Sequence, residues 1–384
     1  MKILYDYQAF YMQTFGGVSN SFVRLIEHLP KDAEARIAVS ECNNIHLISS
    51  NLGKFAKAKQ TEYQFLFTGH YKLKRMAYEW YSNKFPMQTS LGRNVHCSEK
   101  ALRDGDFDVF HPTFYDNYFL RYLGDKPFVL TVHDMISELF SLKQNRQSVL
   151  KRKLVNKAHH IVAVSEKTKQ DLMNLMNVRD DKITVIYHGI DKKRYAKSQP
   201  LVDVPYLLYV GNRKEYKNFM PMMRSLLNTL DRHKDIHVVC TGPDFDKMEI
   251  SFFDAHHITE RIIHLKPDDK GMDNLYENAL CFIFPSMYEG FGIPILESWK
   301  AGCPVLLNST SCFPEIAGDA AVFFHLTEKE SDLADVMEKF LSMTEREKAA
   351  LKKRQLQRLE DFSWEKSAKK LYDVYQQVCN EQYG

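Results

Sequence analysis

Phe284-Pro285-Ser286-Met287-Tyr288-Glu289-Gly290-Phe291-Gly292-Ile293-Pro294-Ile295-Leu296-Glu297 reads as a strand, a glycine loop and a helix in immediate succession, with Ala301-Gly302-Cys303-Pro304-Val305 leading into the next strand. The apolar run ending at Pro285 predicts a buried strand. Pro294 falls where a helix begins, because the N–H groups of a first helical turn have no intrahelical acceptor and proline's fixed φ suits that turn. The glycines Gly290 and Gly292 let backbone N–H groups approach a ligand, and the N-terminus of a helix favours an anion or a polar sugar. Glu289 is expected in the loop and Glu297 one turn inside the helix, so the two carboxylates can touch different parts of one ligand. A plain strand-to-helix turn with two solvated glutamates uses the same residues, and the G-x-G alone does not separate the two readings.

Outward from this segment, short β-branched and apolar runs alternate with stretches of helical periodicity, the pattern of β-α units and parallel sheets. One series of strands is predicted near Ile3–Asp6, Ala35–Val39, Asp108–His111, Phe128–His133, His160–Val164 and Thr184–Tyr187, and a second near Tyr206–Val210, His237–Thr241, Ile262–Leu265, Leu280–Pro285, Pro304–Leu307 and Ala321–Phe324. Two cores are also what a chain of 384 residues needs. The charged, proline-containing stretch from Lys192 to Pro205 reads as the linker. The expected division is a domain of residues 1–195 and a domain of residues 196–362. A terminal helix, 363–384, is expected to pack back on the first domain. It opens at Phe362-Ser363-Trp364-Glu365 and carries the stripe Ala368, Leu371, Tyr372 and Tyr375. Val18, Phe22, Leu25, Ile26 and Leu29 mark a buried helix face just after Gly16-Gly17.

Composition narrows the function classes. Lys and Arg total 52 against 49 Asp and Glu, and a formal charge of +3 gives no footprint for nucleic acid. Seven scattered cysteines include no C-x-x-C pair and sit in apolar runs such as Leu280-Cys281-Phe282, which reads as buried free thiols in a reducing cytoplasm. Met1-Lys2-Ile3-Leu4-Tyr5-Asp6 meets an acidic residue too early for a secretory signal, and no apolar run reaches the roughly 18–20 residues of a membrane span.

A second loop carries charge: Leu208-Tyr209-Val210-Gly211-Asn212-Arg213-Lys214-Glu215-Tyr216-Lys217-Asn218 is a strand running into a cationic turn. Arginine forks and lysine point charges can neutralise a pyrophosphate. Gly16-Gly17-Val18-Ser19 follows the first strand, where many Rossmann-like domains bind phosphate, but the dinucleotide fingerprint G-x-G-x-x-G is absent. Phe128-Val129-Leu130-Thr131-Val132-His133-Asp134 ends at the carboxyl edge, where open α/β sheets place ligands.

Together these segments resemble glycosyltransferase family 4. Glu289 to Glu297 is similar to its E-x7-E signature, the 211–218 turn to its G-x-R-x-x-x-K-N element, and His188-Gly189-Ile190-Asp191 to its hinge-side N/H-G-[VI]-D. The resemblance implies the GT-B fold, two Rossmann-like doubly wound parallel-sheet domains facing a central cleft. It also implies retaining transfer of a hexose from a nucleotide-diphosphate sugar, with no metal and no cofactor. Arg213 and Lys217 would hold the donor diphosphate. Glu289, Gly290, Phe291, Gly292 and Ile293 would hold the sugar and β-phosphate, Glu297 the ribose, and the loop at Lys266 the base. Gly16 and Gly17 would approach the donor from the first domain, and His133 would lie near the transferred sugar. The implied catalytic set is therefore His133, Arg213, Lys217 and Glu289. GDP-mannose is the preferred donor, with UDP-hexoses next. The implied acceptor is a glycan or lipid-linked sugar in bacterial surface polysaccharide or glycoconjugate synthesis. The stripe of Leu73, Met76, Ala77, Trp80 and Tyr81 beside Lys72, Lys74 and Arg75 is compatible with peripheral contact at the cytoplasmic face of the inner membrane.

Other motifs carry less. Asp104-Gly105-Asp106 is a D-x-D that precedes a strand instead of ending one, so it reads as a turn. His159-His160 and His256-His257 lack a third ligand at zinc spacing. A nucleotide-sugar epimerase, a phosphorylase with pyridoxal phosphate, and a silent sugar-nucleotide-binding subunit are the alternatives. A silent subunit should have lost Arg213, Lys217 or the glutamates, and this chain has all of them.

Overall fold

The apolar runs become strands, and the central ones are buried on both faces, as parallel sheets covered by helices require, while the edge strands stay partly exposed. The computed structural model describes residues 1–58, 80–81, 84–140, 145–192, 199–213 and 215–384. The stripe at 72–81 lies outside the described residues except for Trp80 and Tyr81, and Lys214 also lies outside them. The chain divides into two units, residues 1–164 with 168–189 and 364–384, and residues 165–167 with 190–363.

In the first unit, β1 (Lys2–Asp6) lies parallel between β2 (Glu34–Ala38) and β5 (Val109–His111), with Tyr5 opposite Ile37 and His111. β6 (Val129–Val132), β7 (His160–Ala163) and β8 (Ile183–Val185) form a second parallel set, and a parallel bridge between Phe110 and Phe128 joins the two. A two-residue parallel pair, β3 (Glu41–Cys42) with β4 (Lys57–Ala58), is too short to carry a periodic signal and has no counterpart in the sequence reading. The helix Gly17–Glu27 buries Phe22, Leu25 and Ile26 against β1. The helix Trp364–Tyr383 sets Ala368, Leu371, Tyr372 and Tyr375 into the same core. A buried polar chain ties that helix down: the Tyr375 hydroxyl lies 2.8 Å from that of Tyr5 and 2.6 Å from His111 Nδ1, and His111 Nε2 lies 2.9 Å from Thr131 Oγ1.

The second unit is one six-stranded parallel sheet in the order β11-β10-β9-β12-β13-β14. Its strands are β9 (Tyr206–Tyr209), β10 (His237–Thr241), β11 (Ile262–Leu265), β12 (Cys281–Phe284), β13 (Val305–Asn308) and β14 (Val322–Phe324). The chain builds outward from β9 to β11, then returns to place β12 on the other side of β9. The gap between the carboxyl ends of β9 and β12 is thus a topological switch point, where open α/β sheets leave a crevice for ligand. Asp104-Gly105-Asp106 is a helix end, with Gly105 in the left-handed conformation as the C-cap of Ser90–Asp104.

Candidate active site

The switch point of the second unit is spanned by one ion pair. Lys217 Nζ from the loop after β9 donates to Glu289 Oε1 from the loop after β12 at 2.5 Å, with both side chains largely buried. The backbones are stitched as well, Met287 N donating to Tyr216 O at 2.8 Å. Ser311, held at positive φ, donates its hydroxyl to Glu289 O at 2.8 Å and accepts from Glu289 N at 3.1 Å. The position of Glu289 is therefore fixed at backbone and side chain alike.

Gly292 is the N-cap of the helix Ile293–Ala301, at φ 94°, with Pro294 in the first turn and no side chain capping the leading N–H groups. A Cβ there would lie 3.1 Å from Ile295 Cδ1 and 3.3 Å from Phe313 Cε1, so both conformation and space call for glycine. Pro294 has no N–H and Ile295 N donates to Gly292 O at 3.0 Å, so what this helix start offers an anion is chiefly the positive end of its dipole. One turn on, Glu297 accepts from the Tyr276 hydroxyl at 3.2 Å. Burial pushes the Glu297 carboxyl above its ordinary value, opposed chiefly by the Lys300 ammonium and the Tyr276 hydroxyl.

Arg213 is enclosed, not open. Its Nε donates to Glu249 Oε1 at 2.7 Å, and one terminal nitrogen donates to the carbonyls of Pro243 and Asp244 at 2.7 and 2.8 Å. Its plane lies 4.5 Å from the Phe245 ring, and the other terminal nitrogen is buried without a partner. Glu249 and Ser311 were invisible to the sequence reading. Asp246-Lys247-Met248-Glu249 has capping-box spacing, and the box forms, but the spacing does not say that the same carboxylate meets an arginine 36 residues earlier. Lys266 pairs with Asp244 at 2.7 Å, so the two expected cations after β9 and β11 meet through the loop after β10. Lys217, Glu289 and Gly290–Ile293 thus come together, with Arg213 and Lys266 beside the neighbouring loop.

On the first unit, Gly16 has an extended backbone and N-caps Gly17–Glu27, and Gln13 Oε1 accepts from Ser19 N at 3.0 Å over that helix end. A Cβ on Gly16 would meet Gln13 Oε1 at 2.5 Å, so this glycine serves close approach and not a left-handed turn. His133 ends β6, its ring parallel to His188 at 5.8 Å and edge-on to Phe22 at 5.8 Å. Burial, then the Lys151 ammonium, lowers its pKa to about 4, and its Nε2 is buried without a partner. His133 is therefore a neutral imidazole at neutral pH. His188 contacts His133 and Trp364 and is likewise buried. His160 bonds Thr184 within the sheet. Among the described residues no group of three or more His, Cys, Asp or Glu side chains could hold a metal ion, and no helix is long and apolar enough to cross a membrane.

Two parallel-sheet α/β units of this kind are those of the GT-B fold class. The family described as Glycosyltransferase Family 4 matches residues 15–194, and Glycosyl transferases group 1 matches residues 191–357. The chain belongs to glycosyltransferase family 4. It is 24% identical over 298 residues to the Escherichia coli O-antigen chain mannosyltransferase B, covering 72% of this chain and 76% of that one. It is 25% identical over 260 residues to the GDP-mannose:cellobiosyl-diphosphopolyprenol alpha-mannosyltransferase of Xanthomonas oryzae, covering 65% of each. Among solved structures, Anabaena HepE in complex with UDP and glucose superposes with a TM-score of 0.70 at 16% identity, over 98% of this chain and 100% of that one.

Proposed function

We propose that this glycosyltransferase is a retaining, metal-independent hexosyltransferase that moves mannose from GDP-mannose, or failing that a hexose from a UDP-sugar, to a hydroxyl of a glycan or lipid-linked acceptor. The observation that carries the reading is the Lys217–Glu289 pair at the switch point of the second unit, with Glu289 three residues before the N-cap of Ile293–Ala301. A lysine and a helix N-terminus together offset the charge that develops on a departing nucleoside diphosphate, the kind of electrostatic stabilisation that dominates many enzymes. Arg213 adds to this potential from its enclosed seat. Glu289, released from Lys217 by the arriving phosphate, is free to accept from sugar hydroxyls, and Glu297 does the same for the ribose. The mannosyltransferases among the relatives support the choice of donor, and the diphosphopolyprenol in one relative's name supports a lipid-linked acceptor.

The bond from the anomeric carbon to the β-phosphate oxygen breaks as the acceptor oxygen bonds to that carbon on the same face. The acceptor's proton passes to the β-phosphate. His133, uncharged, serves as a hydrogen-bonding group and not as an acid. The enzyme works at the cytoplasmic face of a membrane, as a peripheral protein. The test is turnover of GDP-, UDP-, ADP- and TDP-sugars with lipid-linked acceptors in the presence and absence of EDTA. Transfer from GDP-mannose that resists EDTA is expected. Activity that disappears with EDTA and returns with manganese would overturn the metal-free scheme.

A further inference from the structure

Among the described residues Lys151 is the one lysine in the group of largest fully buried side chains, and its side chain is 0% exposed. Burying an ammonium ion costs several kcal/mol unless its charge and its donors are met. They are met by the segment that follows β6. Nζ donates to the Asp134 carbonyl and to Glu138 Oε2, each at 2.8 Å, and lies 3.9 Å from Asp134 Oδ1 and 5.1 Å from the Tyr115 ring centroid. Glu138 is itself only 5% exposed, and its Oε1 is buried without a partner. The Tyr115 hydroxyl accepts from His133 N at 3.3 Å, and Asp134 Oδ1 accepts from Ile136 N at 3.0 Å. The backbone of His133 and Asp134 is thus gripped on both sides, while His133 Nε2 is left unpartnered and the Asp134 side chain stays one-third exposed.

A hydrophobic residue at position 151 would fill this space without the desolvation problem. The charge therefore invites a role other than packing. We infer that Lys151 is a positioning residue for the reaction: with Glu138 it holds the His133–Asp134 turn so that the imidazole and the exposed carboxylate face substrate hydroxyls in one arrangement. This rests on the reading of His133 as a substrate-facing group.

The charged and titratable groups around His133 are Lys151 and His111, which interact with its charge, His188 stacked on its ring, Asp134 next in sequence, the Tyr115 hydroxyl on its backbone N–H, and Glu138, which reaches it only through Lys151. Lys151 is the cation among them and works against a proton on His133. Lys151→Met alone would strand a buried carboxylate and could unfold the unit. The test is therefore the neutral pair Lys151→Met with Glu138→Gln, set beside His133→Gln. A pair that only packs should tolerate this exchange. The expected result is a double variant with parental melting temperature and nucleoside-diphosphate affinity, kcat reduced at least about tenfold, and a His133 imidazole that titrates at higher pH by NMR. A double variant with parental kcat beside a damaging His133→Gln overturns the inference alone. A His133→Gln variant with parental turnover overturns the reading beneath it.

Discussion

If Lys217 and Glu289 bind the donor as proposed, their 2.5 Å pair makes a prediction that a simple sugar-binding role for Glu289 does not. On the proposed reading, the carboxylate that accepts from Lys217 Nζ would compete with the donor phosphate for the ammonium. Glu289→Gln removes that competitor while keeping the shape. Free nucleoside diphosphate, which has no sugar for Glu289 to hold, should then bind roughly tenfold tighter, a gain of about 1.4 kcal/mol, while turnover of the full donor falls. Calorimetric titration with GDP and UDP reads the effect, and unchanged or weaker binding would remove the competition from the account. Lys217→Ala should act in the opposite sense, weakening nucleoside diphosphate binding by at least about tenfold, as loss of a charge-assisted contact implies. Parental affinity in that variant would dissociate Lys217 from the phosphates altogether.

At the scale of elements, the strand–loop–helix run from Cys281 to Ala301 was legible because local rules act together there: an apolar run, two glycines and Pro294 in the first turn. The same holds for the strands of the larger sheets, each announced by its own short apolar stretch, but not for the two-residue pair Glu41–Cys42 with Lys57–Ala58. What stayed hidden were contacts that join distant segments. Glu249 reaches Arg213, and Lys151 reaches Glu138, through the fold, and neither pairing has a sequence spacing of its own. Lys151 did leave a trace, since Ser148, Lys151, Leu154 and Val155 share the buried face of one helix, and a lysine on such a face is an exception that periodicity exposes. The glycine loop was legible in part. Gly292 was read as allowing close approach, and its φ of 94° and crowded surroundings add a conformational demand. Gly292→Val should therefore strain the helix start by about 1–3 kcal/mol. A lowered melting temperature with a larger loss of donor affinity is expected, because the first-turn amides move with the cap. A Gly292→Val protein with parental stability and donor binding would show that neither demand matters.

At the scale of the whole molecule, three buried histidines of the first unit contribute to the response to acid, against buried Asp6 and Glu297, whose raised carboxyl pKa values work the other way. Burial lowers the pKa of His111 to about 3, of His133 to about 4 and of His188 to about 3, with mutual repulsion or the Lys151 charge adding to it. All three belong to the first unit, and His111 and His188 also contact Tyr375 and Trp364 of the terminal helix. Unfolded, each imidazole titrates near its ordinary value of about 6.5. Between that pH and the folded values, the unfolded chain binds more protons than the native one, so stability is complete above about pH 6.5 and declines as the pH falls through this window. Each extra proton contributes a slope of about 1.4 kcal/mol per pH unit. Denaturant midpoints measured from pH 7.5 to pH 4.5 should fall accordingly, and His188→Gln, which cannot take up the proton, should flatten the curve even if it lowers the midpoint at neutral pH. Midpoints that stay level between pH 7 and pH 5 in the parent, with His188→Gln no flatter, would mean that these rings accept protons where they lie, and the lowered pKa of His133 would have to be given up.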